Sequence, residues 1–438
     1  MTTDATLNDL DVLRPGEAGY ADAATTMLGQ GSPELIVRPR TAREVTRAIR
    51  FARAHRLPLT VRAGGHSTAG VTTPHHGLLL DLRAMHGVEV DVTARLVRVG
   101  GGACWGQVAE ELRPFGLALT SGDTSSVGVG GLTLGGGIGW MVRRYGLAID
   151  SLVGAELVTA DGHIRQVSAT RHADLFWAVR GGGGTVGVVT RFDFVAQPVA
   201  NVVFGTVTYA LEDPLALLGR WREFQRGADE RLTTVLTLMP AMGDQPAAGV
   251  LELCFAGSRE EAGATLTALP GLGTVVQDDV DVRPYADVLR DVDHPPGMQV
   301  TLDNAFLPDL SDAVLAEVAG VFAAAPTILT MRALGGAFAR VPHEATAFHH
   351  RSAEALAIAV RFSAGPGAAA PTRIHSWDAV ARHGTGSYVN FQSSASAAAI
   401  AAAYPDRTLR RLEQITREYD PDQVFAPRRP VDVDQVKV

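Results

Sequence analysis

The chain has little cysteine, few aromatic side chains and no excess of positive charge. Cys104 and Cys254 are its two cysteines in 438 residues, and aromatic residues make up 6%. A disulfide framework is thereby excluded, and nothing demands an oxidising compartment. Lys and Arg total 39 against 47 Asp and Glu, a formal net charge of −8, which argues against a nucleic-acid partner. No apolar run is long enough for a membrane span. The opening MTTDATLNDLDVLRPGE is acidic, lacks an apolar core and is read as carrying no secretory signal. H-E-x-x-H and C-x-x-C are absent, so no metal site is expected. G-x-x-x-x-G-K-[ST] is absent too, which excludes a P-loop. The default is then a soluble cytoplasmic protein with an ample core, in two domains or one large one.

Glycine is what the chain has in abundance: 47 residues, clustered in the first half. Inside regular elements each costs about 0.5–1 kcal/mol against alanine, so such a cluster suggests backbone wrapped around a large ligand. The stretch VRAGGHSTAG, residues 61–70, organises the rest. Gly64 and Gly65 let the main chain take positive φ and approach a ligand closely. Successive N–H groups in such a turn make an anion nest suited to a pyrophosphate, and His66 is held against whatever the nest holds. Three more stretches follow: GGGACWGQV (100–108), SVGVGGLTLGGGIGWMVRRYGL (126–147) and RGGGGTVGVVTRF (180–192). None fits the G-x-G-x-x-G geometry of a Rossmann unit. The plain alternative is a set of tight turns that hold no ligand.

In chain order, a short helix and loop precede a strand at 33–37. Thr41 with Glu44 three residues on matches a capping box, and Val45, Ala48, Ile49 and Ala52 follow at helical spacing, predicting a helix to about His55. LTVRA then delivers the chain into the glycine turn, completing a β-α-β unit. Strands are expected at 78–82, 95–100 and 116–119, a helix over 105–115, and a loop with a short helix over 125–139. A hairpin is expected around Asp161-Gly162, then a helix at 174–179 and a strand at 186–195. After Pro198 the pattern changes to long alternating strands with helices at 213–225, 258–269 and 311–323, an α+β arrangement with an antiparallel sheet. GPGAAAP (365–371) reads as a linker. SYVNFQ, read as a strand, a helix over 405–419 and YDPDQVF close the chain.

The words VRAGGHSTAG, SVGVGGLTLGGGIGWMVRRYGL, DSLVGAELVTADG, DLFWAVRGGGGTVGVVTRF and YDPDQVF, in this order, resemble the flavoproteins of the vanillyl-alcohol oxidase / p-cresol methylhydroxylase fold. Within it they are most similar to the berberine-bridge-enzyme-like oxidases. The likeness covers about 33–199 and 372–430; in between, TAFHHR (346–351) is similar to the family's aromatic-x-His-Arg strand. The resemblance implies a two-domain α+β protein: an FAD-binding domain from 1–199, a substrate domain from 200–371 and a C-terminal segment, 372–438, returning to the FAD domain.

The resemblance also assigns roles. His66 matches the histidine bonded to the 8α-methyl of FAD, the alternative being an ordinary turn histidine. Thr124 stands where doubly linked members have cysteine, so a single covalent link is expected, with Cys104 buried and inert. Val127 falls over the flavin ring, where valine goes with oxygen access; a plain core valine is the alternative. Arg62, Ala63, Gly64, Gly65, Ser67, Ser126, Gly128, Gly131, Gly135 and Gly137 are expected along the pyrophosphate and ribityl path, and Gly184, Gly187 and Val189 toward the adenosine side. Tyr388 and Asn390 match a Tyr-x-Asn pair beside the ring, Tyr388 as the residue that deprotonates the substrate or as one that only packs on the flavin. His75, His76, His343, His349, His350 and His383 read as surface or strand histidines, with His349 and His350 the ones that could reach the substrate pocket. Asp303 and Glu344 read as solvated charges or as supports of the site.

The expected function is an FAD-linked oxidase taking hydride from a hydroxyl- or amine-bearing carbon of a small molecule, a secondary metabolite or a sugar, and reducing O2 to H2O2. The alternatives are a dehydrogenase with another electron acceptor and a flavin-fold protein that sequesters a small molecule. The Ala, Gly and Arg content suggests a GC-rich bacterial source.

Overall fold

The computed structural model describes residues 7–27, 29–291, 298–364 and 373–425. The linker expected at 365–371 lies outside the described residues. The strand Leu35–Val37 leads to a helix, Ala42–His55. Thr41 caps it: its hydroxyl accepts from Glu44 N–H at 3.2 Å, while the Glu44 carboxylate accepts from Arg40 N–H at 2.8 Å. Val45, Ala48, Ile49 and Ala52 are fully buried on the inner face. The next strand, Leu59–Arg62, is parallel to Leu78–Asp81, which also pairs in parallel with Leu35–Val37. Val12–Leu13 adds an antiparallel edge. The helix therefore crosses over between parallel strands, and the turn after Arg62 leaves from the carboxyl end of one of them.

A second, antiparallel sheet is ordered Ile164–Ser168, Leu152–Val158, Val188–Val195, Leu96–Gly100, Val88–Asp91. The hairpin at Asp161-Gly162 is closed by Asp161, whose carboxylate accepts from Thr159 Oγ1 and His163 N–H. The helices Trp105–Leu112 and Ala173–Val179 bury their apolar sides on the shared core.

Residues 201–364 form an antiparallel sheet of eight strands, ordered Val275–Asp278, Asn201–Ala210, Ala248–Phe255, Leu232–Met239, Ile328–Ala333, Ala355–Ala364, Met298–Leu307, with Asp281–Pro284 also pairing to Asn201–Ala210. The helices Pro214–Gly227 and Asp312–Ala324 cover one face, where Leu218, Leu236, Leu251, Leu253 and Met331 are fully buried. Residues of the other face, Phe204, Val235 and Cys254, share a core with Trp140, Tyr285 and Phe192 of the second sheet's surroundings. The fold is α+β, as expected.

Several local expectations are corrected. Residues 116–119 form no strand, only a single bridge between Ala118 and Gln197. The helix expected over 258–269 is Gly263–Ala268, continued as a 3-10 turn over Leu269–Leu272. TAFHHR is not a strand, because His350 and Arg351 are drawn into buried side-chain bonds instead. SYVNFQ is a 3-10 turn at Val389–Phe391, fastened by Asn304. The Asn304 side chain accepts from Tyr388 N–H at 2.5 Å and donates to the Phe391 carbonyl at 2.7 Å. The end of the chain returns to the first sheet. The Asp420 carboxylate accepts from Val424 N–H at 2.7 Å and Phe425 N–H at 3.1 Å, and Leu59 N–H donates to the Val424 carbonyl at 3.3 Å. Among the described residues no helix is long and apolar enough to cross a membrane.

Candidate active site

Two glycine turns meet backbone to backbone. A Cβ on Gly64 would lie 2.4 Å from Gly128 N, and one on Gly128 would lie 2.3 Å from Gly64 N. No side chain fits there, which is why the words around 64 and 128 must both carry glycine. Their junction floors a cavity of about 1480 Å³, larger than the roughly 300–1,000 Å³ of sites for drug-sized ligands. It runs from Pro58 and Phe425, past the two turns, to Ile138, Leu302 and Tyr388.

Of the residues expected to contact the cofactor, Ala63 to Ser67, Thr124, Ser126 to Gly128, Gly131, Gly184, Gly187, Val189, Tyr388 and Asn390 line this cavity, and so do His75 and His76, read from the sequence as surface or strand histidines. Three of the expected cofactor residues do not. Arg62 is buried and turned away, its guanidinium held by Asp81 at 2.7 Å. A Cβ on Gly135 would strike the Asn390 amide, so this glycine makes room for that side chain. Gly137 stands behind Tyr388 and gives its N–H to the phenol oxygen at 3.0 Å. His350 is also withdrawn from the cavity: it is buried, bonded to Thr385 Oγ1 and the Ala403 carbonyl, and stacked on Phe306 at 4.6 Å between centroids. Burial lowers its pKa to about 4. Glu344 pairs with Arg407 outside the site, and Asp303 accepts from Ile374 N–H at 2.6 Å. Cys104 is half-buried with its thiol pKa raised by burial, and Cys254 is fully buried.

At the deep end Tyr388 is buried, and its hydroxyl accepts from Gly137 N–H and from Asn390 Nδ2 at 2.9 Å. Burial pushes this phenol up to about 12, against the pull of those donors and of the Arg332 charge. Asn390 also donates to the Leu132 carbonyl at 3.1 Å. Near His66, Asp291 holds the loop opposite: its carboxylate accepts from Ser125 Oγ at 2.6 Å, Ser126 N–H at 3.0 Å and Ser126 Oγ at 2.5 Å. These bonds, with the His66 charge behind them, lower the Asp291 pKa. Among the described residues no His, Cys, Asp and Glu group could hold a metal ion.

Sequence reasoning missed Asn304, Asp291 and Phe425. The first two act through contacts made by folding, with no local signature. Phe425 lies inside YDPDQVF, where Asp420 four and five residues before the bonded N–H groups was the readable signal.

The cavity's chemistry fits a dinucleotide. Gly131 has no atom within 4 Å of where its Cβ would be, and Gly184 has only Leu134, at 3.8 Å. Both glycines thus present bare main chain to open space, where N–H groups can meet phosphate oxygens.

A model of an FAD-binding domain matches residues 33–168. The chain is 30% identical over 437 residues to (R)-6-hydroxynicotine oxidase of Paenarthrobacter nicotinovorans, covering 95% of each. It is 29% identical over 411 residues to an uncharacterised FAD-linked oxidoreductase of Bacillus subtilis, covering 90% of each. Among solved structures it resembles 6-hydroxy-D-nicotine oxidase from Arthrobacter nicotinovorans, with a TM-score of 0.84, 26% identity and coverage of 95% and 96%. It also shares the fold of a xylooligosaccharide oxidase from Myceliophthora thermophila, with a TM-score of 0.86, 22% identity and coverage of 97% and 98%.

Proposed function

We infer the function from one premise: the chain belongs to the family of FAD-linked oxidases that includes (R)-6-hydroxynicotine oxidase. It is an FAD-linked oxidoreductase of the p-cresol methylhydroxylase-type fold. The reading is an oxidase for a hydroxyl- or amine-bearing carbon of a small molecule. FAD, when bound, would supply the two-electron acceptor for a hydride from that carbon, with O2 as the final oxidant and H2O2 as its product.

The chain's own residues bind and orient. The main chain of 63–67, 128–131 and 184–187 would hold the phosphates and adenosine, and His66 would carry a single covalent link to the ring. Two observations support the single link. Thr124, not a cysteine, lines the cavity, and Cys104 does not line it. Val127 on the cavity wall supports oxygen as the acceptor. The domain division at about residues 199 and 371 is supported by the sheets, since the eight-stranded one lies wholly within 201–364. Cytoplasmic location is supported by two free thiols.

Tyr388 would be the group that takes the proton from the substrate's hydroxyl or amine. The single observation that carries this is the bonding of its oxygen. Two N–H donors, from Gly137 and Asn390, converge on it and stabilise the phenolate over the phenol. Burial opposes them, so the ionised fraction is small at neutral pH and grows with pH.

The test is acid precipitation of the purified protein. The pellet stays yellow, and the peptide containing His66 gains the mass of FAD. His66→Ala releases the colour to the supernatant. A colourless protein, or a flavin still attached in the variant, overturns the reading.

A further inference from the structure

The deep end of the cavity meets one face of the eight-stranded sheet. Leu302 and Asn304 mark that face: Leu302 lines the cavity, and the Asn304 side chain bonds Tyr388 N–H and the Phe391 carbonyl. Strand register carries the face away from Tyr388. Leu302 pairs with Val360, Val360 with Ile328, and Val300 with Phe362. Two residues along a strand span about 7 Å, so Val300 and Phe362 lengthen the wall by about the width of a ring. All five are apolar and none is fully buried; Phe362 is 39% exposed. The alternate residues Ala357, Ala359 and Leu329 pack in the core beneath the helices. Leu302, Val360 and Phe391 pack in one cluster with Ile138 and Tyr388, so the apolar strip is continuous with the cavity.

Charge and free donors are scarce at this end. Among the described residues the cavity lining has no Lys, Arg or Glu, and its one Asp, Asp123, is ion-paired to the buried Arg332. His75 and His76 sit at the other end, where the adjoining Gly77 packs on Pro58. The side-chain donors near Tyr388 are spent within the protein. Asn390 Nδ2 gives its hydrogens to the Tyr388 oxygen and the Leu132 carbonyl. Gln392 Nε2 gives its own to Ser387 Oγ at 2.9 Å and the Ala399 carbonyl at 2.6 Å. Ser393 Oγ donates to the Leu302 carbonyl at 2.8 Å, and Thr124 Oγ1 to the Asp123 carboxylate at 3.1 Å. The Tyr388 oxygen accepts two N–H groups, and its own hydrogen has no acceptor among the described residues.

We propose that the substrate is a neutral alcohol with a mainly hydrocarbon body, its hydroxyl on Tyr388 and its body laid along Leu302, Val360 and Phe362. A charged ligand would be buried here without a counter-charge, a cost that its other contacts do not offset. A carboxylate finds no free cation, and a protonated amine finds no free anion. A sugar would leave most of its hydroxyls without partners. Hydrocarbon loses nothing of this kind and gains by leaving water. Oxidation then converts R–CH2OH and O2 to R–CHO and H2O2, the hydroxyl proton leaving by way of Tyr388. This rests on the oxidase reading and narrows it to one class of substrate.

The test measures binding to the flavin-loaded protein by equilibrium dialysis, and flavin bleaching without oxygen by the visible spectrum. The probes are 2-naphthalenemethanol, benzyl alcohol, 6-(hydroxymethyl)-2-naphthoate, 2-naphthylmethylamine and cellobiose. Wild type binds 2-naphthalenemethanol more tightly than each of the others by about tenfold or more, and this alcohol bleaches the flavin. Phe362→Ala narrows the ratio of naphthyl to benzyl alcohol by about threefold or more. Phe362→Arg strengthens the naphthoate against the naphthyl alcohol by about the same factor. Val360→Thr, close in shape, serves if the Phe362 variants fail to hold flavin, and it narrows the same naphthyl-to-benzyl ratio. Binding of the naphthoate, the amine or cellobiose as tight as that of the naphthyl alcohol overturns the proposal, as does a ratio that none of the variants moves. A protein that binds the naphthyl alcohol but whose flavin no alcohol bleaches keeps the binding site and overturns the oxidase reading instead.

Discussion

Tyr388 concentrates the chemistry of this molecule in one oxygen. Its two N–H partners come from a glycine 251 residues away and an asparagine two residues on, and its pKa stands at about 12. Only the ionised phenol can take a proton, so the rate of flavin bleaching by substrate rises with pH across the neutral range, toward that value. Tyr388→Phe lowers the anaerobic bleaching rate by about 10²–10⁴-fold and removes this rise, while flavin content is unchanged. His350 makes a second prediction of opposite character. Its folded pKa, about 4, is below the ordinary value of about 6.5, so the unfolded chain takes up the proton first. Its stabilising effect is complete above pH ~6.5 and is lost as pH falls from there through about 4. Urea midpoints measured over that window fall in wild type and fall less in His350→Gln.

At the scale of elements, the strand-turn units position the site. The helix Ala42–His55 was legible because its signal is local: Thr41, Glu44 and apolar spacing act within two turns of chain. Thr41→Ala therefore costs about 1 kcal/mol in denaturant unfolding and leaves flavin binding alone. The turns at 64 and 128 behave otherwise, since their glycines answer to each other across the cavity floor. Gly128→Ala forces a methyl to within 2.3 Å of Gly64 N, so the two turns must part. The expected outcome is loss of flavin from the purified protein, read from its absorbance, with the secondary structure by circular dichroism retained. Tyr388 and Asn390 were legible as a pair but not as a 3-10 turn. Alternation in SYVNF suits a strand, and what bends it is Asn304, which lies 84 residues earlier and grips the turn from the sheet.

For the whole molecule, long-range bonds join the halves. Arg351 is fully buried and forms two bonds with Asp150, at 2.7 and 2.8 Å. Asp150 lies in the turn whose Ala148 and Ile149 N–H groups bond the Gly137 and Gly136 carbonyls, so this pair also steadies the donor to Tyr388. Arg351→Met strands Asp150 and costs about 3–5 kcal/mol, seen as a lower denaturation midpoint. The glycine turns and the helix spacing could be read from the chain alone, and the fold class and the Tyr388–Asn390 pair from short words that resemble a known family, because all of these signals lie in residues that are neighbours in sequence. Arg62, Gly135 and Gly137 could not be separated from the true lining residues that way. Whether a residue in a glycine-rich word faces the cavity or stands behind its wall depends on what packs against it: Asp81, Asn390 and Tyr388 here.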